Sequence, residues 1–229
     1  MSETRKLAAI LAADAEGSLS AAARRMGQGR EFVAQALGAG HAVRALARDP
    51  SALQSAPSLE VVRGDVFDPP SLDAAVHGQD AAVVILGVSF AAARKPTNVF
   101  SQGTRNLITA LKAAGVRRLI VVSSFGVGDS GRDAGILERV FFALVVRGAY
   151  ADKDLQEQAV RESGLDYTIV RPTRLTMGPG TGRYTARVGS GPVPSPIARA
   201  DVARFILDAL RTREYVGKTV SLGKPEKGR

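Results

Sequence analysis

Short apolar runs alternate with longer stretches of helical periodicity along most of this chain. Residues 41–46 (HAVRAL) and 59–63 (LEVVR) predict strands. Residues 81–86 (AAVVIL), 118–122 (RLIVV) and 167–170 (YTIV) are apolar on both faces, the pattern of buried parallel strands. Between them, residues 31–37, 71–76, 102–114 and 152–162 place apolar side chains three and four apart, which predicts helices with one buried stripe. Glycines close several of these helices before the next strand: Gly38 and Gly40, Gly78, Gly115 and Gly164. Strand, helix, glycine and strand in repetition predict right-handed crossovers. The expected fold is therefore α/β, a doubly wound parallel sheet covered on both faces, in a single domain. Residues 178–196, with five glycines and four prolines, read as the longest irregular stretch.

Composition narrows the chemistry. The 229 residues contain no cysteine, which excludes disulfides, thiolate metal sites and cysteine nucleophiles and suits a reducing, cytoplasmic setting. His41 and His77 are the only histidines, too few for a multi-histidine metal site. A formal charge of +9 favours an anionic partner, but the bases are scattered and aromatics make up only 5%. A phosphorylated small molecule is therefore expected rather than nucleic acid. No apolar run approaches the roughly 18–20 residues of a membrane span, so no membrane partner is expected. Nothing in the sequence separates a monomer from a homo-oligomer.

In open α/β sheets the ligand lies beyond the carboxyl ends of the strands, so the residues that follow each strand carry the information. Arg48 and Asp49 follow the second predicted strand, about 19 residues past Gly29. There an acidic residue would hold a ribose 2′-hydroxyl and an arginine a 2′-phosphate; a solvated turn arginine is the alternative. Asp65 after the third strand could accept from an adenine amino group or cap its own turn. Gly87 ends the fourth strand, where backbone can approach a ligand. Ser123 and Ser124 end the fifth and could serve a ligand or simply the turn.

Taken together, HAVRALARDP, VVRGDVFDPPSLDAAVHGQDAAVVILG, GTRNLITALKAAGVRRLIVVSSFGVGDS and AVRESGLDYTIVRPTRLT resemble the atypical short-chain dehydrogenase/reductases. The likeness is to the NAD(P)H-binding group that includes NmrA-like and biliverdin reductase B-like (flavin reductase) proteins. It runs from about Gly27 to Gly223. It implies a Rossmann fold, an NADP(H) cofactor, and hydride transfer to a small-molecule acceptor of flavin, quinone or tetrapyrrole-like type. An NmrA-like protein that binds NADP(H) and regulates without turnover is the alternative. Carried onto this chain, the resemblance gives Arg48 the 2′-phosphate, Asp65 and Val66 the adenine, and Gly87 the pyrophosphate-ribose. It sets Ser123 beside the nicotinamide, Lys153 on the ribose, and Pro172 and Thr173 by the nicotinamide amide. Ser123 and Lys153 are the residues it would make catalytic.

Two departures stand out. The dinucleotide fingerprint keeps only Gly27 and Gly29; Ala23 and Met26 occupy the earlier glycine positions, so residues 1–26 are atypical within an expected domain of 1–229. The run RKLAAILAADAEGS instead resembles the start of a class III nucleotide cyclase domain, with Asp14 as its metal-binding aspartate, although nothing downstream is cyclase-like. Residues 7–12 are expected to serve as a substitute first strand. The second departure is Tyr150, which precedes Lys153 by three residues rather than the four of a Tyr-x-x-x-Lys pair. On a helix that offset rotates the phenol by about 100°. Alcohol dehydrogenation suffers from this more than flavin or quinone reduction does, because the cofactor carries the hydride chemistry.

Overall fold

The computed structural model describes residues 5–12, 27–53, 55–136, 139 and 144–226. Strand β1 (Lys6–Ala12) leads to α1 (Gln28–Gly38), β2 (Ala42–Ala47), β3 (Leu59–Arg63), α2 (Pro69–Val76) and β4 (Ala81–Leu86). A short α3 (Phe90–Ala93) and a long α4 (Val99–Ala113) precede β5 (Arg118–Val122). Then come α5 (Arg147–Arg161), β6 (Asp166–Pro172), β7 (Leu175–Thr176), β8 (Thr185–Val188), β9 (Ile197–Ala198), α6 (Arg199–Arg211) and β10 (Lys218–Gly223). The main sheet runs β3-β2-β1-β4-β5-β6-β10-β8, parallel throughout except where β8 pairs antiparallel with β10.

Alternation along each central strand divides the core into two layers. Ala8, Ile10, Val84, Leu119 and Val121 face α2, α4 and α5, packing with Leu72, Phe100, Leu107 and Leu111. Leu7, Ala9, Val83, Ile120 and Val122 face α1 and α6, packing with Phe32, Val33, Phe205 and Ile206. Each fully buried Val, Leu, Ile or Phe contributes about 1.5–3 kcal/mol, so both layers are needed to hold the sheet. The expected glycine stops are present: Gly40, Gly78, Gly115 and Gly164 all take positive φ where a helix hands over to a strand.

The expected substitute first strand is β1, inserted between β2 and β4. Ala23, Met26 and Asp14 lie outside the described residues. Three expectations need correction. The stretch 178–196 is not wholly irregular, since Thr185–Val188 forms β8, whose Ala186 and Val188 register with Leu222 and Val220. This edge strand is half polar and exposed, so its pairing with β10 makes it a strand rather than any periodicity of its own. The sheet accordingly carries one antiparallel edge. Helices α4 and α5 also begin earlier than the periodicity suggests, at Val99 and Arg147. In α4 the first turn is held from outside: Asp152 accepts from the N–H groups of Phe100 (2.8 Å) and Ser101 (3.2 Å). In α5 Gly148 lies so close to the Lys95 carbonyl that any Cβ would overlap it.

Candidate functional site

The strand order reverses between β1 and β4, and the crevice beyond their carboxyl ends is where such sheets take ligands. Gly27 is the extended N-cap of α1 and its carbonyl accepts from Glu31 N at 3.2 Å. One residue into the helix, a Cβ on Gly29 would stand 2.5 Å from Leu11 Cδ2. Gly29 therefore lets α1 settle onto β1, which is the helix–strand packing role of the last fingerprint glycine. The first turn of α1 stands at the position that takes a pyrophosphate in dinucleotide-binding sheets. Gly87 follows β4 directly, on the other side of the crevice.

Arginines gather at the ends of β2 and β3. Arg48 follows β2, and its Nε lies 3.9 Å from Asp65 Oδ2. The neighbouring Asp49 carboxylate is turned into its own turn, accepting from Ser51 Oγ (2.6 Å) and Ser51 N (3.0 Å). Those hydrogen bonds hold its pKa below the ordinary carboxylate range, and the charges of Arg63 and Arg30 lower it further. Arg30 and Arg63, which sequence position did not single out, thus add positive charge around Arg48. Asp65 accepts from Phe67 N at 2.9 Å, capping its own turn. Val66 is buried, its carbonyl accepting from Asn106 Nδ2 at 2.9 Å. Its side chain fills the space that a Cβ on Gly103 would need, 2.6 Å away.

At the ends of β5 and β6 the chain builds a second group. Ser123 N donates to Val170 O (2.7 Å) and Phe125 N to Pro172 O (2.9 Å), so the two strand-end loops stay laced together. Thr173 N donates onward to Leu222 O at 2.9 Å. The hydroxyls of Ser123 and Thr173 are buried and have no hydrogen-bond partner among the described residues. A buried hydroxyl left so costs about 1–3 kcal/mol, and a nicotinamide amide is a group that could satisfy both.

Lys153 reaches the same place from α5. Its ammonium donates to Ser124 Oγ (2.8 Å) and Ser123 O (3.1 Å) and lies 4.9 Å from the centre of the Phe100 ring. Burial pushes its pKa down to about 8, against the opposing charge of Glu157. The Tyr150 hydroxyl donates to Phe125 O at 3.0 Å. The structure thus brings Ser123, Lys153, Pro172 and Thr173 to the ends of β5 and β6, and Arg48 with Asp65 to the ends of β2 and β3.

Behind this end stands a buried ion pair. Arg171 Nε and NH2 donate to the two oxygens of Glu157 at 2.9 and 2.6 Å, and Arg171 NH1 pairs with Asp129 at 2.5 Å. These contacts tie β6, α5 and the turn after β5 into one rigid support. No spacing rule links residues so far apart in sequence, so only the folded chain reveals the pair. Among the described residues no cluster of His, Asp and Glu is placed to hold a metal ion, and no helix is long and apolar enough to cross a membrane.

Comparison with known proteins identifies the family and the fold. A family model described as NAD(P)H-binding matches residues 27–213. An uncharacterized chloroplastic protein of Arabidopsis thaliana is 33% identical over 202 residues, 85% of this chain and 72% of that protein. A (4-alkanoyl-5-oxo-2,5-dihydrofuran-3-yl)methyl phosphate reductase of Streptomyces griseus is 31% identical over 207 residues, 86% of this chain and 64% of that protein. Among solved structures, ChuY, an anaerobilin reductase from Escherichia coli O157:H7, superposes with a TM-score of 0.71 at 26% identity, over 96% of this chain and 99% of that one. The chain belongs to the NAD(P)H-binding family and is a Rossmann-fold NAD(P)H-dependent oxidoreductase.

Proposed function

We propose that the protein is an NADPH-dependent reductase that delivers hydride to a flavin, quinone or tetrapyrrole-like acceptor. The observation that carries this reading is the pair of buried hydroxyls, Ser123 and Thr173, without partners among the described residues where β5 and β6 end, with the Lys153 ammonium on the Ser123 carbonyl. In this reading the dihydronicotinamide supplies the hydride, and the residues of the chain bind and orient. Ser123 and Thr173 hydrogen-bond the carboxamide, with Pro172 packed beside it, and Lys153 donates to the ribose hydroxyls. Gly27 and Gly87 let the backbone approach the pyrophosphate-ribose, and Gly29 supports that approach by letting α1 settle on β1. Arg48 takes the adenosine 2′-phosphate, supported by the charges of Arg30 and Arg63, while Asp65 and Val66 border the adenine.

Asp49 is held in its own turn by two hydrogen bonds from Ser51 to Oδ1, which leaves Arg48 as the residue that meets the ribose 2′ position and favours NADPH over NADH. Tyr150 already donates to a backbone carbonyl, so the proton that follows hydride comes from solvent, as reduction of a conjugated acceptor permits. The relatives that act as reductases on a furanyl phosphate and on anaerobilin support a conjugated small-molecule acceptor. A chain without cysteine suits the cytoplasm. The decisive experiment titrates NADPH and NADH by fluorescence, then adds FMN, menadione or biliverdin and follows loss of dihydronicotinamide absorbance. Turnover with preference for NADPH is the expected result. Tight NADPH binding without turnover of any acceptor would replace this reading with that of a cofactor-sensing regulator.

A further inference from the structure

The opposite end of the sheet carries a second charged cavity. A pocket of about 490 Å³ opens at the amino ends of β1, β4, β5 and β6 and at the last turn of α6. Arg5, Arg117, Arg118, Arg211 and Arg213 line it, with Asp80 and Asp166 as its acidic residues. Two of the arginines have structural work. Arg118 donates to the carbonyls of Asp166 (2.7 Å) and Ala209 (2.9 Å), and Arg5 to that of Leu210 (2.5 Å). Both thereby cap the carbonyl end of α6, where positive charge is favoured.

The other three are not explained this way. Arg117 and Arg213 share one carboxylate, Asp166, at 3.4 and 3.3 Å, and Arg211 meets Asp208 at 3.7 Å. Charge-assisted hydrogen bonds are shorter, about 2.7–2.9 Å, and one carboxylate cannot satisfy two guanidinium forks. Asp80 is spent on the backbone, accepting from Lys6 N at 2.7 Å. Among the described residues the lining therefore sets five guanidiniums against two carboxylates. Burial, with the charges of Arg211 and Arg5, lowers the pKa of the neighbouring His41; burial lowers that of Arg118, where Asp166 opposes the shift and Arg5 and Arg213 add to it.

Clustered like charge of this kind is relieved by an anion with several oxygens that guanidinium forks can grip in pairs. We propose that this pocket is a binding site for a diphosphate-bearing small molecule, separate from the dinucleotide cleft. Five guanidiniums against two carboxylates leave the described lining with a surplus that matches the charge of a diphosphate, and the cavity leaves room for an organic body beside it. The inference is independent of the acceptor proposed above, since no residue is shared between the two sites.

Inorganic pyrophosphate is the probe, titrated calorimetrically against the full chain at constant ionic strength. The test variant is R117Q/R213Q, whose side chains are 66% and 80% exposed and so can be replaced without disturbing the core. Arg48→Gln, in the dinucleotide cleft, is the control. Saturable binding that weakens at least about tenfold in R117Q/R213Q and persists in Arg48→Gln is expected. Equal binding by the parent and R117Q/R213Q, or loss in Arg48→Gln instead, would overturn the assignment. So would a short RNA duplex that displaces pyrophosphate at lower concentration, because the surface would then be a nucleic-acid one.

Discussion

The Lys153 ammonium and the Ser124 hydroxyl stand 2.8 Å apart, and that contact joins the middle of α5 to the end of β5. In the proposed reading it makes cofactor binding sensitive to pH. With its pKa near 8, Lys153 is charged at neutral pH and loses its proton well before an exposed lysine would. Only the charged form donates strongly to ribose hydroxyls and attracts the pyrophosphate. NADPH affinity is therefore expected to be greatest below pH 8 and to fall above it, by up to about tenfold per pH unit. Lys153→Met should bind weakly and flatten the profile; fluorescence titration from pH 6 to about 9.5 checks both.

The same buried lysine affects stability. Between its folded pKa near 8 and its ordinary value near 10.5, the unfolded chain holds more protons than the folded one. The stability of the protein without cofactor should therefore gain a rising contribution across that window. Comparing the parent with Lys153→Met in urea at several pH values isolates it: the parent's stability should climb relative to that of the variant.

In the proposed reading Arg48 governs the choice of cofactor. Arg48→Glu sets a negative charge against the 2′-phosphate and removes a charge-assisted pair. NADPH binding should weaken by about 2 kcal/mol, on the order of thirtyfold, with NADH little changed. Equal NADPH and NADH affinities in the parent would remove the assignment.

Tyr150→Phe separates the two chemical mechanisms. Loss of its hydrogen bond to Phe125 O should cost about 1 kcal/mol of stability and leave turnover largely intact. General acid catalysis is worth about 10²–10⁴-fold, so a drop of that size with NADPH binding unchanged would return the tyrosine to a catalytic role.

Glu157 should matter more for the fold than its distance from the cofactor suggests. Glu157→Gln leaves the buried Arg171 with Asp129 as its remaining carboxylate partner among the described residues and should cost about 3 kcal/mol. It should also lower the Lys153 pKa further, since Glu157 is the charge that now raises it. Chemical denaturation and a repeat of the pH titration measure the two effects independently.

The order of strands and helices was legible in the local pattern. Alternation in β4 and β5 assigns side chains to two opposite layers, and the glycines at 40, 78, 115 and 164 stop helices by their own backbone freedom. Strand ends could be read in the same way, and Arg48, Gly87 and Ser123 do follow β2, β4 and β5. What depends on partners far along the chain was hidden. β8 is a strand because β10 offers it an edge, and α4 begins at Val99 because Asp152 from α5 satisfies its first turn. The chain alone could not say that Asp49 is spent on Ser51 as it is, or that Lys153 would choose Ser124 and leave the Ser123 hydroxyl unpartnered. Nor could it show Arg171 folding onto Glu157. Periodicity is a property of neighbouring residues, whereas burial, pKa and unfilled hydrogen bonds are set by groups that meet only when the sheet closes.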